Sequence, residues 1–343
     1  MPYTVAHDND AAPWHPSTAE TLVEWALARH KRCMTREAGR AGSMAERTQV
    51  GLVGVGNMGA PMARCIARTG TPVMLYDTRP ETVAPLTAET NLFSAAPDLA
   101  TLGRACRTVI TMLPDSKIVR RAAIGDHGTS GFGAALAQGS IVVDMSSSYP
   151  LDTVRLGEEL AGRGIALVDA PVSGGVPRAV TGQLAIMAGG TAADIDRVET
   201  LLKAMGTVHR TGRLGSGHAM KALNNYVSAA GLVATSEALA VGESFGLDPR
   251  QMVEILNASS GRNNTTENKA ERYMLSGTFN SGFALALMDK DVGMARRLAD
   301  EIAVPAEELA FVSGLLTRAL ADLGPGADHT AVHQWVAARA RKV

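Results

Sequence analysis

The sequence predicts an α/β fold in which a doubly wound parallel sheet is followed by a long helix and an all-helical domain. Between Thr48 and Gly212, short apolar runs alternate with helical patterns. Beyond Gly212 no strand pattern remains, and a stretch with few polar residues reads as one long helix. We therefore divide the chain into an N-terminal extension (1–47), a sheet domain (48–212) and a helical domain (213–343) that begins with the long helix.

The composition indicates a packed globular protein. The chain has 343 residues, enough for two domains with separate cores, and 46% of them are hydrophobic. Its 33 basic and 34 acidic residues are well mixed and leave a formal net charge of −1. Charges mixed in this way create no positive field that would attract a polyanion, so we expect no nucleic-acid partner. No apolar run is long enough to cross a bilayer without charges, so we expect no membrane partner.

Cysteine usage predicts a reduced, cytoplasmic setting. Cys33, Cys65 and Cys106 are scattered along the chain and odd in number, which argues against a disulfide framework. No group of His, Cys and carboxylate residues has the spacing of zinc ligands. We therefore predict no metal site.

The first 47 residues differ from the rest of the chain. Ser17 and Glu20 have the spacing of a capping box for a helix that would run to about Arg32, after which the periodicity is lost. Met44 stands just before the first strand pattern. We expect an extension outside the core fold, either a frayed appendage without function or the product of an upstream start codon.

Six apolar runs predict the strands of the sheet, and a helix from about Met58 to Arg68 follows the first of them. The runs are "VGLVGV", "TPVMLYD", "TVITMLP", "SIVVDMS", "IALVDAPV" and "AIMAGG". The long helix, "GHAMKALNNYVSAAGLVATSEALAVGESFG", is apolar on nearly all sides, which predicts that it is buried. Four more helices are expected at about 248–259, 281–302, 307–321 and 330–341.

Three glycines, Gly54, Gly56 and Gly59, separate the first strand from the first helix. A lone G-x-G-x-x-G is weak evidence, but here it follows a strand and opens a helix. Gly54 permits a tight turn, Gly56 lets a pyrophosphate approach the backbone, and Gly59 lets the helix pack on the sheet. Asn57 and Met58 lie at the positive end of the helix dipole, where the phosphates would bind. We predict dinucleotide binding rather than an ordinary loop.

Asp77 ends the second strand about 20 residues after the glycines, as the dinucleotide pattern requires. Its carboxylate can accept hydrogen bonds from both ribose hydroxyls and would repel a 2′-phosphate, which favours NAD. Arg79, separated from it by Thr78, is either a solvated cation or a partner for that phosphate. NADP therefore stays open.

Four separated motifs resemble the β-hydroxyacid dehydrogenase family, which includes 3-hydroxyisobutyrate dehydrogenase, tartronate semialdehyde reductase and 6-phosphogluconate dehydrogenase. They are "GLVGVGNMGAPMA", "DAPVSGG", "GSGHAMKALNN" and "FALALMDKDVGMA". The resemblance covers about residues 49–336. It implies a Rossmann domain joined by a long helix to an all-α domain. It also implies the NAD- or NADP-dependent oxidation of a β-hydroxy acid, or the reverse reduction.

Lys221 and Asn225 stand four residues apart in the long helix and share a face. A lysine buried there without a partner would have a lowered pKa, as a general acid/base needs. The alternative is a side chain that reaches out to solvent. The resemblance implies that Lys221 is the catalytic group, and we expect Asn225 to hold the substrate in register.

Other motifs give further candidates, each with a plainer structural reading. Ser173, Gly174 and Gly175 in "PVSGG" form either a turn or, as the resemblance implies, the loop that binds the substrate carboxylate. Lys290 lies beside Asp289 and Asp291, either in a solvated charge cluster or, by the resemblance, facing nicotinamide and substrate. The resemblance also implies cofactor contacts for the strand-end residues Leu113, Pro114 and Ser147. His218 is expected to line the start of the long helix rather than the cleft.

The leading interpretation is a β-hydroxyacid dehydrogenase; the alternatives are an imine reductase, against which Lys221 argues, and a non-catalytic dinucleotide-binding protein. Candidate substrates are 3-hydroxyisobutyrate, glycerate or tartronate semialdehyde, threonate and a sulfonated analogue. Arg262, Asn263 and Asn264 are either readers of a distal polar or anionic group or a solvated helix start. The apolar long helix predicts a homodimer or homotetramer.

Overall fold

The computed structural model describes residues 49–126 and 128–340. From Gln49 onward the chain forms one compact unit, in which a sheet half precedes a helical half. The last strand of the sheet ends at Gly212 and the long helix begins at Ser216. The predicted extension, with its Ser17–Glu20 capping box, lies outside the described residues.

Nine strands form one mixed sheet in the order β11-β10-β8-β7-β4-β1-β2-β3, and β9 pairs with β10 at its side. A separate two-stranded pair joins β5 to β6. The strands are β1 Val50–Val53, β2 Val73–Tyr76, β3 Phe93–Ala95, β4 Thr108–Thr111, β5 Gly125–Asp126, β6 Thr129–Ser130, β7 Ile141–Asp144, β8 Ala166–Asp169, β9 Val172–Ser173, β10 Leu184–Gly189 and β11 Gly206–Gly212.

The predicted doubly wound sheet is confirmed, but it is not parallel throughout. From β3 to β8 every pair is parallel, whereas β10 runs antiparallel to β8 and β9. β8 and β9 run in the same direction, and the chain reverses in the ten residues between β9 and β10, fewer than the crossover of a parallel pair needs. The strand β11 escaped prediction because it carries few apolar residues and lies half-exposed at the sheet edge.

Helices cover both faces of the sheet. Leu52, Ile110 and Val143 belong to one apolar cluster, whereas their chain neighbours Val53, Val109 and Val142 belong to another. This alternation is that of a sheet buried on both faces. The helices of this half are α1 Gly59–Ala67, α2 Pro80–Thr87, α3 Leu99–Ala105, α4 Ser116–Ile124, α5 Pro150–Ala161, α6 Gly175–Thr181 and α7 Ala192–Lys203.

The helical half packs around the long helix, α8, which spans Ser216–Phe245. Two predicted helices start later than expected: α11 begins at Leu285 because an irregular turn precedes it, and α13 begins at Val332 after a 3₁₀ turn, His329–Ala331. The remaining helices are α9 Pro249–Ala258, α10 Asn264–Asn268, α11 Leu285–Glu301, α12 Glu307–Leu323 and α13 Val332–Ala340, and a π-helical turn covers Ala270–Leu275.

One face of α8 is exposed, so the prediction of a helix buried on all sides was wrong for the single chain. We call this face the apolar stripe; it consists of Met220, Leu223, Val227, Val241 and Phe245. Consecutive members of the stripe are three, four, fourteen and four residues apart, spacings that place them on one side of the helix. Phe245 is 84% exposed, so the stripe is open to a partner.

Asp169 joins the sheet to the helical half. It ends β8, and its buried carboxylate accepts hydrogen bonds from the backbone N–H of Gly215 at 2.7 Å and of His218 at 2.8 Å. Both donors belong to the start of α8, where N–H groups have no partner within the helix. A negative charge at a helix N-terminus is also favourable electrostatically. Asp169 therefore fixes where α8 begins, five residues before Lys221.

We expect Asp169→Asn to lower the free energy of unfolding by about 1.5–3 kcal/mol. The amide oxygen can still accept from one of the two N–H groups, but the amide nitrogen cannot accept from the other, and the negative charge is lost. Urea unfolding followed by circular dichroism would measure the loss. The control is Asp98→Asn, since Asp98 caps α3 at the surface through the Thr101 N–H and its replacement should cost less. An equal loss in both variants would show that Asp169 has no special role.

Candidate active site

The turn between β1 and α1 is shaped by glycines. Gly54 has a φ of +96°, and a Cβ there would collide with the carbonyl oxygen of Met112. A Cβ at Gly59 would collide with the Gly54 carbonyl oxygen, so α1 packs directly on the turn. A Cβ at Gly56 would meet nothing within 4 Å. The backbone is thus bare at Gly56, on the side where a phosphate group can approach.

The start of α1 lies next to this bare turn. Asn57 is exposed, and Met58 at the N-cap position forms no side-chain cap. The Ala60 N–H donates to the Gly56 carbonyl oxygen, but within the described residues the N–H groups of Asn57, Met58 and Gly59 have no backbone acceptor and can bind an anion, which the helix dipole also favours. These residues fit the pyrophosphate of a dinucleotide.

Asp77 lies where the sequence predicted, directly after β2. One carboxylate oxygen accepts the Val55 N–H at 2.9 Å and the other accepts the Arg79 N–H at 3.0 Å. The Arg79 guanidinium is largely exposed and 3.8 Å from Asp77. Thr78 connects the two residues at the surface. Gly56, Asn57 and Arg79 line a surface cavity of about 430 Å³ beside the turn.

Loops at the carboxyl ends of β4 and β7 meet next to the glycine turn. The backbone N–H of Leu113 donates to Ser146 Oγ at 2.9 Å, which ties the first loop to the second. Lys290, from α11, donates to the carbonyl oxygens of Pro114 and Ser147, both at 3.0 Å. The structure thus brings Leu113, Pro114, Ser147 and Lys290 together, across the boundary between the two halves.

The loop Ser173-Gly174-Gly175 follows the same edge of the sheet, between β9 and α6. Gly174 and Gly175 have φ values of +129° and +65°, which side chains rarely adopt. Neither glycine is buried, and Ser173 Oγ forms no hydrogen bond with the part of the chain that the structure describes. A free hydroxyl beside open backbone N–H groups suits a carboxylate.

Lys221 is buried, with 9% of its surface exposed, one turn inside α8. Burial lowers the pKa of its ammonium from the ordinary 10.5, the charge of Asp291 opposes this shift, and that of Lys290 adds to it. The predicted alternative, a lysine that reaches out to solvent, does not describe this side chain. Its amine is therefore easier to deprotonate than that of an exposed lysine.

Asp291, one of the two acidic neighbours of Lys290 in the sequence, is almost completely buried at 2% exposure. It accepts a hydrogen bond of 2.6 Å from the Asn225 side chain. Its other oxygen lies 3.4 Å from Lys290 Nζ, an ion pair without hydrogen-bond geometry. Asp291 thus connects Asn225 on α8 to Lys290 on α11 and contributes a negative charge near Lys221.

A sequence signal for Asp291 existed. It falls on the buried stripe of α11, three residues after Met288 and four before Ala295. A carboxylate among apolar residues at helical spacing indicates a buried group that needs partners. By contrast, Asp289 accepts a hydrogen bond from Thr317 on a different side of the helix.

His218 lies at the start of α8 and is buried. Its Nδ1 is 2.8 Å from Thr153 Oγ1, and its Nε2 donates to the Ser146 carbonyl oxygen at 3.0 Å. Asp144 holds the same loop through Ser146 N–H and Ser148 Oγ. His218 therefore connects the long helix to the loop that carries Ser147.

The residues that follow α9 do not have the arrangement that binding a ligand would need. The Asn263 side chain caps α10 by accepting the N–H of Thr265 and of Thr266. Arg262 is exposed and pairs with Glu267, and Asn264 is the first residue of α10. These residues form a helix start rather than readers of a distal group.

Metal binding and membrane insertion are two further functions to consider for the described residues. No three His, Cys, Asp or Glu side chains in 49–126 and 128–340 are grouped so that they could hold a metal ion. Within the same ranges, no helix has the length and apolar character needed to span a bilayer.

Comparison with known proteins identifies the family. Residues 49–215 match the model for the NAD binding domain of 6-phosphogluconate dehydrogenase. Residues 215–336 match the model for the NAD-binding region of NADP-dependent 3-hydroxyisobutyrate dehydrogenase. A 2-(hydroxymethyl)glutarate dehydrogenase from Eubacterium barkeri is 35% identical over 76% of this chain and 86% of its own length. The chain belongs to the β-hydroxyacid dehydrogenase family.

Other members of the β-hydroxyacid dehydrogenase family agree with this assignment. The mitochondrial 3-hydroxyisobutyrate dehydrogenase of Bos taurus is 36% identical over 77% of this chain and 79% of its own length. The structure of a Mycobacterium tuberculosis 3-hydroxyisobutyrate dehydrogenase superposes with a TM-score of 0.78 at 26% identity, covering 84% of this chain and 99% of the other. The predictions of the family, of NAD(P) binding and of an oxidoreductase are confirmed.

We expect Gly56→Ala to weaken NAD(P) binding at least tenfold without changing the melting temperature, because its Cβ has space in the free protein but would stand against the pyrophosphate. Titration of NADH or NADPH by fluorescence, together with thermal unfolding, would measure both. In the matched variant Gly59→Ala the new Cβ meets backbone, so the melting temperature should fall as well. Unchanged affinity in Gly56→Ala would contradict the assigned cofactor position.

Proposed function

We propose that this protein oxidises the hydroxyl group of a small β-hydroxy acid with NAD(P), or reduces the matching semialdehyde, and that Lys221 is the general acid/base. The observation that carries the proposal is the burial of Lys221 on the same helix face as Asn225, with its pKa lowered. A buried amine with a lowered pKa can exchange a proton near neutral pH.

In the oxidation direction, the neutral amine of Lys221 accepts the hydroxyl proton of the substrate as the C–H bond breaks. NAD(P), held by the glycine turn and Asp77, would supply the hydride acceptor for that carbon. In the reverse direction, the ammonium of Lys221 returns the proton to the carbonyl oxygen. The negative charge of Asp291 stabilises the ammonium form, so the buried site can hold either protonation state.

Asn225 and Lys290 position the reacting groups. The Asn225 amide nitrogen donates to Asp291 and its carbonyl oxygen accepts from Asn224 Nδ2 at 3.1 Å, so the substrate would use the second lone pair of that oxygen. Lys290 holds the Pro114 and Ser147 loops, which line the proposed nicotinamide position. The Ser173 hydroxyl and the backbone N–H groups of Gly174 and Gly175 bind the substrate carboxylate.

We infer NAD as the preferred cofactor, since Asp77 would repel a 2′-phosphate. The exposed Arg79 guanidinium is the group that would hold NADP instead. For the substrate we favour acids with a hydroxymethyl group beside a carboxylate, such as 3-hydroxyisobutyrate or 2-(hydroxymethyl)glutarate. The buried lysine supports a dehydrogenase over an imine reductase or a non-catalytic protein. We also propose a cytoplasmic location, because Cys65 and Cys106 are free buried thiols.

We infer that a second copy of the chain covers the apolar stripe of α8, giving a homodimer or a homotetramer. The stripe runs for about 37 Å at 1.5 Å per residue, and large aliphatic and aromatic side chains lie exposed along it. Most soluble oligomers are symmetric homo-oligomers, in which the same surface of two copies can pack together.

We expect Lys221→Ala to reduce turnover of 3-hydroxyisobutyrate at least a thousandfold with little change in NADH affinity, because the proton acceptor is lost while the glycine turn is untouched. Initial rates and fluorescence titration would measure the two. Lys203→Ala, which removes an exposed lysine paired with Glu199, is the control and should keep full activity. Turnover near the normal rate in Lys221→Ala would refute the role of the amine.

The pH profile of the normal enzyme tests the same role. Oxidation needs the neutral amine, so kcat/KM should rise with pH through the pKa of Lys221 and then level off. Because burial lowers that pKa, half of the maximal rate is expected below pH 10.5. Reduction needs the ammonium, so its rate should fall over the same range. A profile of the same sign in both directions would contradict Lys221 as the titrating group.

We expect Phe245→Glu combined with Val241→Glu to convert the oligomer into monomers, because two charges would be buried in the apolar contact. Size-exclusion chromatography with light scattering would give the masses. Ser244→Glu, which adds a charge just beside the stripe, is the control and should leave the oligomer intact. A wild-type protein that is monomeric at all concentrations would overturn the inference.

A further inference from the structure

A second lysine approaches the same face of α8 as Lys221. Lys269, directly before the π-helical turn, donates from Nζ to Ser228 Oγ over 3.3 Å. Ser228 follows Asn225 by three residues and Lys221 by seven, a spacing that places all three on one helix face. At 1.5 Å per residue, Ser228 lies about 10 Å along the helix from Lys221.

Lys269 has a charge but no carboxylate partner. It is partly buried, and burial lowers the pKa of its ammonium to about 8, with the charge of Asp328 opposing the shift. Within the described ranges, no ion pair joins Lys269 to a carboxylate, and Ser228 Oγ takes only one of its three N–H groups. A desolvated ammonium in this situation is stabilised by an incoming anion.

Asp328 does not serve as that partner, because its oxygens are already used. They accept hydrogen bonds from Ser281 Oγ, from the backbone of Gly282 and Phe283, and from Thr330. These bonds hold the turn that leads into α11.

The glutamates of the adjoining surface cavity do not serve either. The cavity is lined by Glu254, Glu267 and Glu271 as well as Lys269. Among the described residues, none of the three glutamates forms an ion pair with Lys269. Its ammonium donates instead to Ser228 Oγ on α8, the helix that carries Lys221.

We propose that Lys269 and Ser228 form a distal anion-binding subsite of the substrate cleft, and that the substrate is a β-hydroxy acid with a second carboxylate. This inference rests on the function proposed above. The substrate would place its hydroxyl at Lys221, its first carboxylate at the Ser173 loop and its second carboxylate at Lys269.

The spacing suits a dicarboxylic acid of moderate length. Lys221 and Ser228 stand about 10 Å apart along α8, so a carboxylate at Lys269 needs a carbon chain between itself and the hydroxyl at Lys221. Two methylene groups before the second carboxylate supply such a chain. A methyl group in the same position would leave Lys269 unpaired.

The test compares by kcat/KM two acids that share the hydroxymethyl group and the first carboxylate, 3-hydroxyisobutyrate with a methyl side chain and 2-(hydroxymethyl)glutarate with a carboxyethyl side chain. The wild-type enzyme should prefer the dicarboxylate at least tenfold. Lys269→Met keeps the apolar stem but removes the charge, so kcat/KM for the dicarboxylate should fall about 30-fold or more, chiefly through KM. The value for the monocarboxylate should change less than threefold. Lys269→Arg should restore part of the preference.

Arg272→Met is the matched control, because it removes one positive charge from the same segment at an exposed position. It should change neither ratio. Melting temperatures of all variants would separate a loss of folding from a loss of binding. A wild-type preference for the monocarboxylate, or equal losses on both acids in Lys269→Met, would overturn the subsite. If the wild-type enzyme turns over neither acid, the proposed function itself fails, and this outcome is distinct from an unchanged ratio.

Discussion

The site depends on how the buried carboxylate of Asp169 holds the first turn of α8. This helix carries Lys221, Asn225 and Ser228, so its start sets the position of these three side chains. Two N–H donors to one carboxylate define that start more narrowly than apolar packing can, because hydrogen bonds are directional. His218 adds a link to the loop after β7. The helix is therefore placed by the sheet rather than by its own neighbours.

A second constraint is the balance of charge around the proposed site. Lys221 interacts electrostatically with Asp291 and Lys290, and Asp291 lies 3.4 Å from Lys290 Nζ, so one negative charge accompanies two positive ones. Removing the carboxylate would leave two amines repelling each other in a poorly solvated region. The same charge lets the proposed acid/base carry a proton for part of the cycle and release it for the rest. Burial alone would favour the neutral amine too strongly.

The local parts of this arrangement were predictable from sequence, and the long-range parts were not. The glycine turn and Asp77 follow from a pattern of about 25 residues, because backbone geometry there depends on neighbours in the chain. Lys221 was found because a lysine within an apolar helix is conspicuous. Asp291 and Lys269 depend on which helices meet in space, and nothing in their own segments shows that they face α8. The strand β10 was predicted, but its antiparallel direction was not, because an apolar run does not specify the direction of a strand.

The contact between Lys290 and the strand-end loops has a consequence for how the family can diversify. Its acceptors are the main-chain oxygens of Pro114 and Ser147. Every amino acid supplies such an oxygen, so side chains in both loops can be exchanged without cutting the bridge. Evolution is free to remodel the pocket lining there, for new ligands, while the mechanical coupling of the two halves is inherited unchanged.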